Sequence, residues 1–106
     1  MKVSIITVCF NSEKTIEKTI ESVLAQKNTE IEYIVIDGGS TDQTIKIINK
    51  HKQYIDIFLS ESDLGIFDAI NKGIIRASGE VISILHSDDV YFDQYAISNV
   101  ISYFNK

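Results

Sequence analysis

Four apolar runs, each followed by an amphipathic stretch, organise the chain. VSIITVCF (3–10) is continuous, apolar and β-branched, the pattern of a strand covered on both faces. In NSEKTIEKTIESVLAQ (11–26) the period changes. Ile16, Ile20, Val23 and Leu24 recur at i, i+4, i+7 and i+8, one stripe of a helix. Asn11 or Ser12 is placed to cap this helix, and Glu13 suits its positive end. IEYIVID (31–37) predicts a second strand, GGS a turn, and TDQTIKIINKHK (41–52) a helix beginning near Thr41 or Asp42. YIDIFLS (54–60) predicts a third strand and ESDLG a loop. In the helix IFDAINKGIIRAS (66–78), Ile66, Ile70 and Ile74 stand four apart with Phe67 beside them. Gly73 inside that helix costs about 1 kcal/mol relative to alanine, which predicts a neighbouring backbone or ligand that needs the space. Gly79 reads as its C-cap. EVISILH (80–86) is a fourth strand, and DQYAISNVISYFNK (93–106) a closing helix with Ile97, Val100, Ile101 and Phe104 on one stripe. Most tyrosines and phenylalanines read as core.

The order β-α-β-α-β-α-β-α predicts an α/β fold: one domain over 1–106, a mostly parallel sheet with helices on both faces. Such sheets bind ligands outside the carboxyl ends of their strands. After the four strands come Asn11-Ser12, Asp37-Gly-Gly-Ser40, Glu61-Ser-Asp63 and Ser87-Asp88-Asp89. Polar and acidic groups therefore meet on one edge.

Composition narrows the chemistry. The chain has 106 residues and a net charge of -5 with scattered Lys and Arg, which argues against a nucleic-acid or acidic-membrane surface. One cysteine, Cys9, excludes an intrachain disulfide and reads as a small core residue, consistent with a cytoplasmic protein. No apolar run reaches the roughly 20 residues of a membrane span, so membrane contact by this stretch is expected to be peripheral.

Adjacent Asp88 and Asp89 repel each other unless something offsets them. A hard divalent cation with oxygen ligands does so, and a helix cap or turn also accounts for the pair. In IDGGSTD (36–42), Asp37 ends a buried strand and two glycines let backbone approach a ligand closely; a well-capped turn fits equally. Asp68 and Lys72 in SDLGIFDAINKG (62–73) and, one turn on, Arg76 share a helix face, as ligand contacts or as a solvated salt-bridge ladder. His86 lies next to the acidic pair, either near phosphate or simply ending its strand, and His51 ends a helix with no partner in view. The first βα turn, CFNSEK, holds no glycine, so a Rossmann fingerprint is absent, as is a P-loop. A receiver domain or a haloacid-dehalogenase phosphatase needs its acidic pair after the first strand, where Cys-Phe-Asn stands, and a sugar nucleotidyltransferase needs a glycine-rich first loop.

SIITVCFN, YIVIDGGSTDQT and GIFDAINKGIIRASGEVISILHSDD, in that order and separation, resemble the family 2 glycosyltransferases of the GT-A fold, of the bacterial surface-polysaccharide type. The resemblance covers nearly the whole chain. It implies a nucleotide-sugar-dependent, inverting transferase in which Asp88-Asp89 matches the DxD-type motif. Asp89 would bind Mn²⁺ or Mg²⁺ bridging the diphosphate, and Asp88 would touch ribose or the metal shell. Thr7, Phe10, Asn11 and Asp37 would frame base and ribose, and Asp68, Lys72 and Arg76 would lie toward the diphosphate or donor sugar. A UDP-sugar is the first donor expected, with GDP- and dTDP-sugars as alternatives. Gly38 stands where many relatives carry a second acidic residue that contacts the base. Asp37 or backbone groups would then take over that contact. The family's acceptor half and catalytic base lie beyond the metal motif, so the chain is expected to be the donor-binding half of a truncated transferase, inactive by itself. Its parent would serve a glycan or lipid-linked acceptor at the inner face of the membrane. Tyr91 and Phe92 would have packed on the missing half, and their exposure would favour a homo-oligomer. The rival reading is a non-catalytic nucleotide-binding or interaction module.

Overall fold

A computed structural model describes residues 1–104. Four strands, β1 (Lys2–Cys9), β2 (Glu30–Asp37), β3 (Ile57–Ser60) and β4 (Val81–His86), alternate with helices α1 (Ile16–Leu24), α2 (Thr44–Lys50), α3 (Ile66–Arg76) and α4 (Ala96–Phe104). A 3-10 turn, Lys52–Tyr54, occupies the start of the stretch expected to be the third strand. The sheet is wholly parallel in the order β3-β2-β1-β4. The chain steps outward from β1 to β3, then crosses back to place β4 on the other side of β1. Adjacent strands whose connections leave in opposite directions splay at their carboxyl ends.

Strand alternation divides the core. Val3, Ile5, Cys9, Tyr33 and Val35 pack with Ile16, Ile20 and Val23 of α1, Ile48 of α2 and Ile97 of α4. Ile6, Val8, Ile34 and Ile36 face the other way, against Ala69 and Ile70 of α3. Helices thus cover both faces, as the β-α alternation predicts.

The packing face of α3 differs from the expected isoleucine stripe. Its buried residues are Ala69 and Gly73, while Ile66 and Ile74 are exposed and Phe67 is 80% exposed. A Cβ on Gly73 would stand 2.5 Å from Ile6 Cγ2. Small residues let the helix axis come close to the sheet, and a bulky stripe would hold it away. In α4 only Ile97 is buried and Ile101 packs against the core, while Val100 and Phe104 are exposed. The aromatic expectation fails likewise. Tyr33 is buried and Tyr91 is partly buried, but Phe10, Phe67, Phe92, Tyr103 and Phe104 are exposed. None of the described helices is long and apolar enough to cross a membrane.

At the amino edge, Glu32 gathers three segments. Its carboxylate accepts from Ser4 Oγ (2.8 Å), Ser78 N (2.9 Å) and Ser78 Oγ (2.9 Å). The Ser78 amide foremost, then the hydroxyls of Ser4 and Ser78, hold its pKa below the ordinary glutamate value of 4.5 against the opposing effect of burial. A lowered folded-state pKa means stability that is present above the unfolded pKa and lost as pH falls through the folded one. Glu32→Gln is therefore expected to flatten the acid limb of stability below pH 4.5. Urea denaturation from about pH 6 to pH 3 checks this; parallel acid limbs in the two proteins would refute it.

Candidate active site

The first corner of the site is built by β1 running out at Cys9. Asn11 follows in the left-handed region (φ 47°), a conformation Asn tolerates better than most residues. It does not cap α1, which begins at Ile16 after Thr15 with no side-chain cap. Asn11 instead faces the β2–α2 loop. Its Oδ1 accepts from Thr41 N (2.8 Å) and Asp42 N (3.4 Å), and its own amide donates to Ser40 Oγ (2.8 Å). Ser12 N donates to Thr44 Oγ1 (2.7 Å). The exits of β1 and β2 are thus fixed to each other, and α2 starts at Thr44 rather than Thr41 or Asp42.

Asp37 stands beneath that corner and is fully buried. Its carboxylate accepts from Gly39 N (3.1 Å), Ser40 N (2.8 Å), Ser40 Oγ (2.5 Å) and Ser60 Oγ (2.8 Å). The Cys9 thiol also donates to it (3.4 Å). Burial, with the Asp37 carboxylate adding to it, pushes the Cys9 thiol far above its usual range, so it stays protonated and serves as a donor. Asp37 is the anchor of the GGS turn. It has no face toward a ligand, contrary to the expectation that it frames the base.

On the other side of β1, the turn after β4 presents Asp88 and Asp89, both exposed. Asp89 N donates to His86 O (3.0 Å). Thr19 Oγ1 on α1 lies 2.9 Å from Ser87 O and 2.6 Å from Asp89 O, and the Ser12 and Ser87 hydroxyls share a hydrogen bond (2.8 Å). The backbone of the acidic turn is held while its carboxylates stay free to face outward. Thr19 was missed from sequence. Its signal was a polar residue inside the apolar stripe Ile16–Ile20–Val23.

Between these corners lies an open hollow of about 1060 Å³. It is lined by the β1 exit (Val8 to Thr15), the β4 exit (His86 to Asp89), Asp42, Asp63, and Gly65, Ile66 and Ala69 at the start of α3. Phe10, 60% exposed, offers an aromatic surface to it. Its ionisable lining is Glu13, Asp42, Asp63, Asp88 and Asp89 against Lys14 and His86. Among the described residues no three His, Cys, Asp or Glu side chains form a ready-made metal cage. Two adjacent exposed carboxylates on a fixed turn suit a hard divalent ion that takes its remaining ligands from a bound anion and water.

Of the residues expected at the site, Phe10, Asn11, Asp88 and Asp89 converge on the hollow. Thr7 does not: it is fully buried and shares a hydrogen bond with the Tyr33 hydroxyl (2.8 Å). Nor do Gly38, Asp68 and Lys72 line it. Asp68 Oδ2 accepts from Leu64 N (2.9 Å), and Lys72 Nζ pairs with Glu61 (3.1 Å) and Asp68 (3.5 Å) and donates to Ser62 O (3.3 Å). The Glu61 carboxylate beside it pushes the Lys72 pKa up. Together Asp68 and Lys72 fasten the 61–65 loop. Arg76 closes α3, where it donates to Lys72 O (2.8 Å). Gly79 is not the C-cap of α3, which ends in extended backbone at Ala77. His51, expected to stand alone, pairs with Glu17 of α1 (2.9 Å).

The sequence profile described as Glycosyl transferase family 2 matches residues 4–106. An uncharacterized glycosyltransferase of Mycobacterium tuberculosis is 42% identical over 88 residues, which cover 82% of this chain and 34% of that protein. A poly-beta-1,6-N-acetyl-D-glucosamine synthase of Staphylococcus aureus is 36% identical over 90 residues, 83% of this chain and 22% of the synthase. The chain thus spans about a third or less of these relatives' length. Among solved structures, S. aureus TarS 1-349 in complex with UDP-GlcNAc superposes with a TM-score of 0.89 at 28% identity, over 99% of this chain and 31% of that one. The Pyrobaculum calidifontis mannosyltransferase in complex with GDP-Man and Mn²⁺ shares the fold at 22% identity, with a TM-score of 0.88 over 98% of this chain and 32% of that one. With the motif order, the parallel sheet and the hollow at its switch point in agreement, the chain belongs to glycosyl transferase family 2.

Proposed function

We propose that this chain is the donor-binding portion of an inverting, metal-dependent glycosyltransferase that uses a nucleotide sugar, a UDP-sugar first, and serves a glycan or lipid-linked acceptor. One observation carries the reading: Asp88 and Asp89 stand exposed and side by side at a hollow on the β1/β4 switch point. The hollow has five acidic side chains and one lysine in its lining. Such a field opposes a diphosphate; a divalent cation cancels the charge of the Asp88-Asp89 pair and gives the anion a ligand to hold. Asp89 would ligate that ion and Asp88 would support its shell or touch ribose. When bound, the metal supplies charge neutralisation for the departing nucleoside diphosphate. The chain's own residues do the positioning. Phe10 offers a face for stacking, Asn11 and Ser12 fix the rim, and Thr19 holds the acidic turn in place. The polymer synthase and the UDP-GlcNAc-bound TarS among the relatives support the donor and acceptor classes.

Calorimetric titration of the chain with UDP, with and without Mn²⁺, tests this. Wild type is expected to bind UDP only with metal, and Asp89→Ala to weaken that binding by at least about 100-fold. Because Asp89 is exposed, its melting temperature should stay that of wild type. Equal, metal-independent binding by both proteins would sink the reading.

A further inference from the structure

We infer that Asp63 reads the nucleobase of the donor by accepting a hydrogen bond from a ring N–H; this rests on the donor-binding reading above. The inference starts at Gly38. A Cβ built there would stand 2.7 Å from Asp63 Oδ2 and 3.2 Å from its Cγ. The space beside the β2 exit therefore holds one carboxylate, and it comes from the β3–α3 loop.

That carboxylate is fixed and half open. Asp63 Oδ1 accepts from Gly65 N (3.0 Å), while Oδ2 has no hydrogen-bond partner among the described residues. The loop carrying it is held at both ends. Glu61 N donates to Asp37 O (3.0 Å), and Lys72 grips Glu61 and Ser62 O from α3. Neighbouring acids are already engaged. Asp42 accepts from Thr44 N (2.9 Å) and Glu13 N (3.3 Å), and Asp37 is buried under five donors. Of the three aspartates Asp37, Asp42 and Asp63, only Asp63 keeps an oxygen with no hydrogen-bond partner among the described residues.

Position supplies the rest. The order β3-β2-β1-β4 puts the β3 exit three strand spacings, about 14 Å, from the acidic turn after β4. A diphosphate at Asp88-Asp89 directs its nucleoside across the β1 exit, past Phe10, toward Asp63. A carboxylate is an acceptor only. Uracil and guanine present a ring N–H on their pairing edge, whereas cytosine and adenine present a bare ring nitrogen that it repels.

The test is titration of the full chain, with Mn²⁺ present, against UDP, GDP, CDP and ADP. Wild type is expected to favour the better N–H-bearing nucleotide over both bare-nitrogen ones by at least about tenfold. Asp63→Asn keeps an oxygen for Gly65 N and should melt like wild type, but it should lose at least about tenfold for that nucleotide and close the gap to CDP. Gly38→Asp alone should melt lower, because two carboxylates meet; Gly38→Asp combined with Asp63→Gly should recover both the fold and the preference. If wild type binds UDP or GDP with metal and Asp63→Asn leaves the base preference unchanged, the assignment of Asp63 fails and the donor site stands. If wild type binds none of the four with metal, the donor reading fails and this one with it.

Discussion

Replacing Asp37 with alanine is expected to destabilise the chain by about 3–5 kcal/mol, enough to leave little of a typical domain's margin. Asp37 is wholly buried and collects two backbone amides, two serine hydroxyls and a thiol from β1, the GGS turn and the end of β3. Alanine leaves those donors without an acceptor, and a buried donor without a partner costs the full desolvation of the group. The charge itself is tolerable only because so many dipoles point at it. Asp37→Asn keeps the shape but turns an amide NH₂ toward donors, so it should also destabilise, by less. Guanidinium denaturation of the three proteins measures this. A midpoint for Asp37→Ala within error of wild type would mean that the turn does not depend on this carboxylate.

The second large effect is expected at Gly79. A Cβ there would lie 2.7 Å from Ser4 N, 2.7 Å from Ser4 Oγ and 2.9 Å from Lys2 O. Two of these are backbone atoms of the central strand, which cannot swing aside as a long side chain would. The close approach also carries bonds: Gly79 N donates to Ser4 Oγ (2.8 Å) and Glu80 N to Lys2 O (2.9 Å). Gly79→Val should cost about 3 kcal/mol, at the upper end for overpacking, with Gly79→Ala somewhat less. The strain falls on the β1–β4 seam, and β4 carries the acidic pair at its far end. Metal-dependent UDP binding should therefore weaken together with the denaturation midpoint. A valine variant as stable as wild type would show that β4 is not seated on β1 this closely.

Much of the architecture was legible along the chain. The four apolar runs became the four strands, and β-α alternation gave a parallel sheet with helices on both faces. The acidic pair at 88–89 did emerge at the edge shared with Asn11. The misreadings share a cause. Ile66 and Ile74 obey a helical period, yet α3 turns Ala69 and Gly73 to the sheet because close packing rewards small residues there. Thr7 sits near the end of an apolar strand but points into the core, toward Tyr33.

What the sequence determined by itself is the set of elements and the edge where polar groups gather, because side-chain direction along a strand or helix is fixed by neighbours in the chain. Which acidic groups remain open at that edge was decided only by the tertiary structure. Asp37, Asp42, Asp63, Asp88 and Asp89 look alike in sequence, but Asp37 is buried, both oxygens of Asp42 accept backbone amides at the rim of the hollow, and the others keep an oxygen with no hydrogen-bond partner among the described residues. That difference rests on partners distant in the chain, such as Asp37 with Ser60 and Ser12 with Ser87, 75 residues apart, and local periodicity holds no record of such meetings.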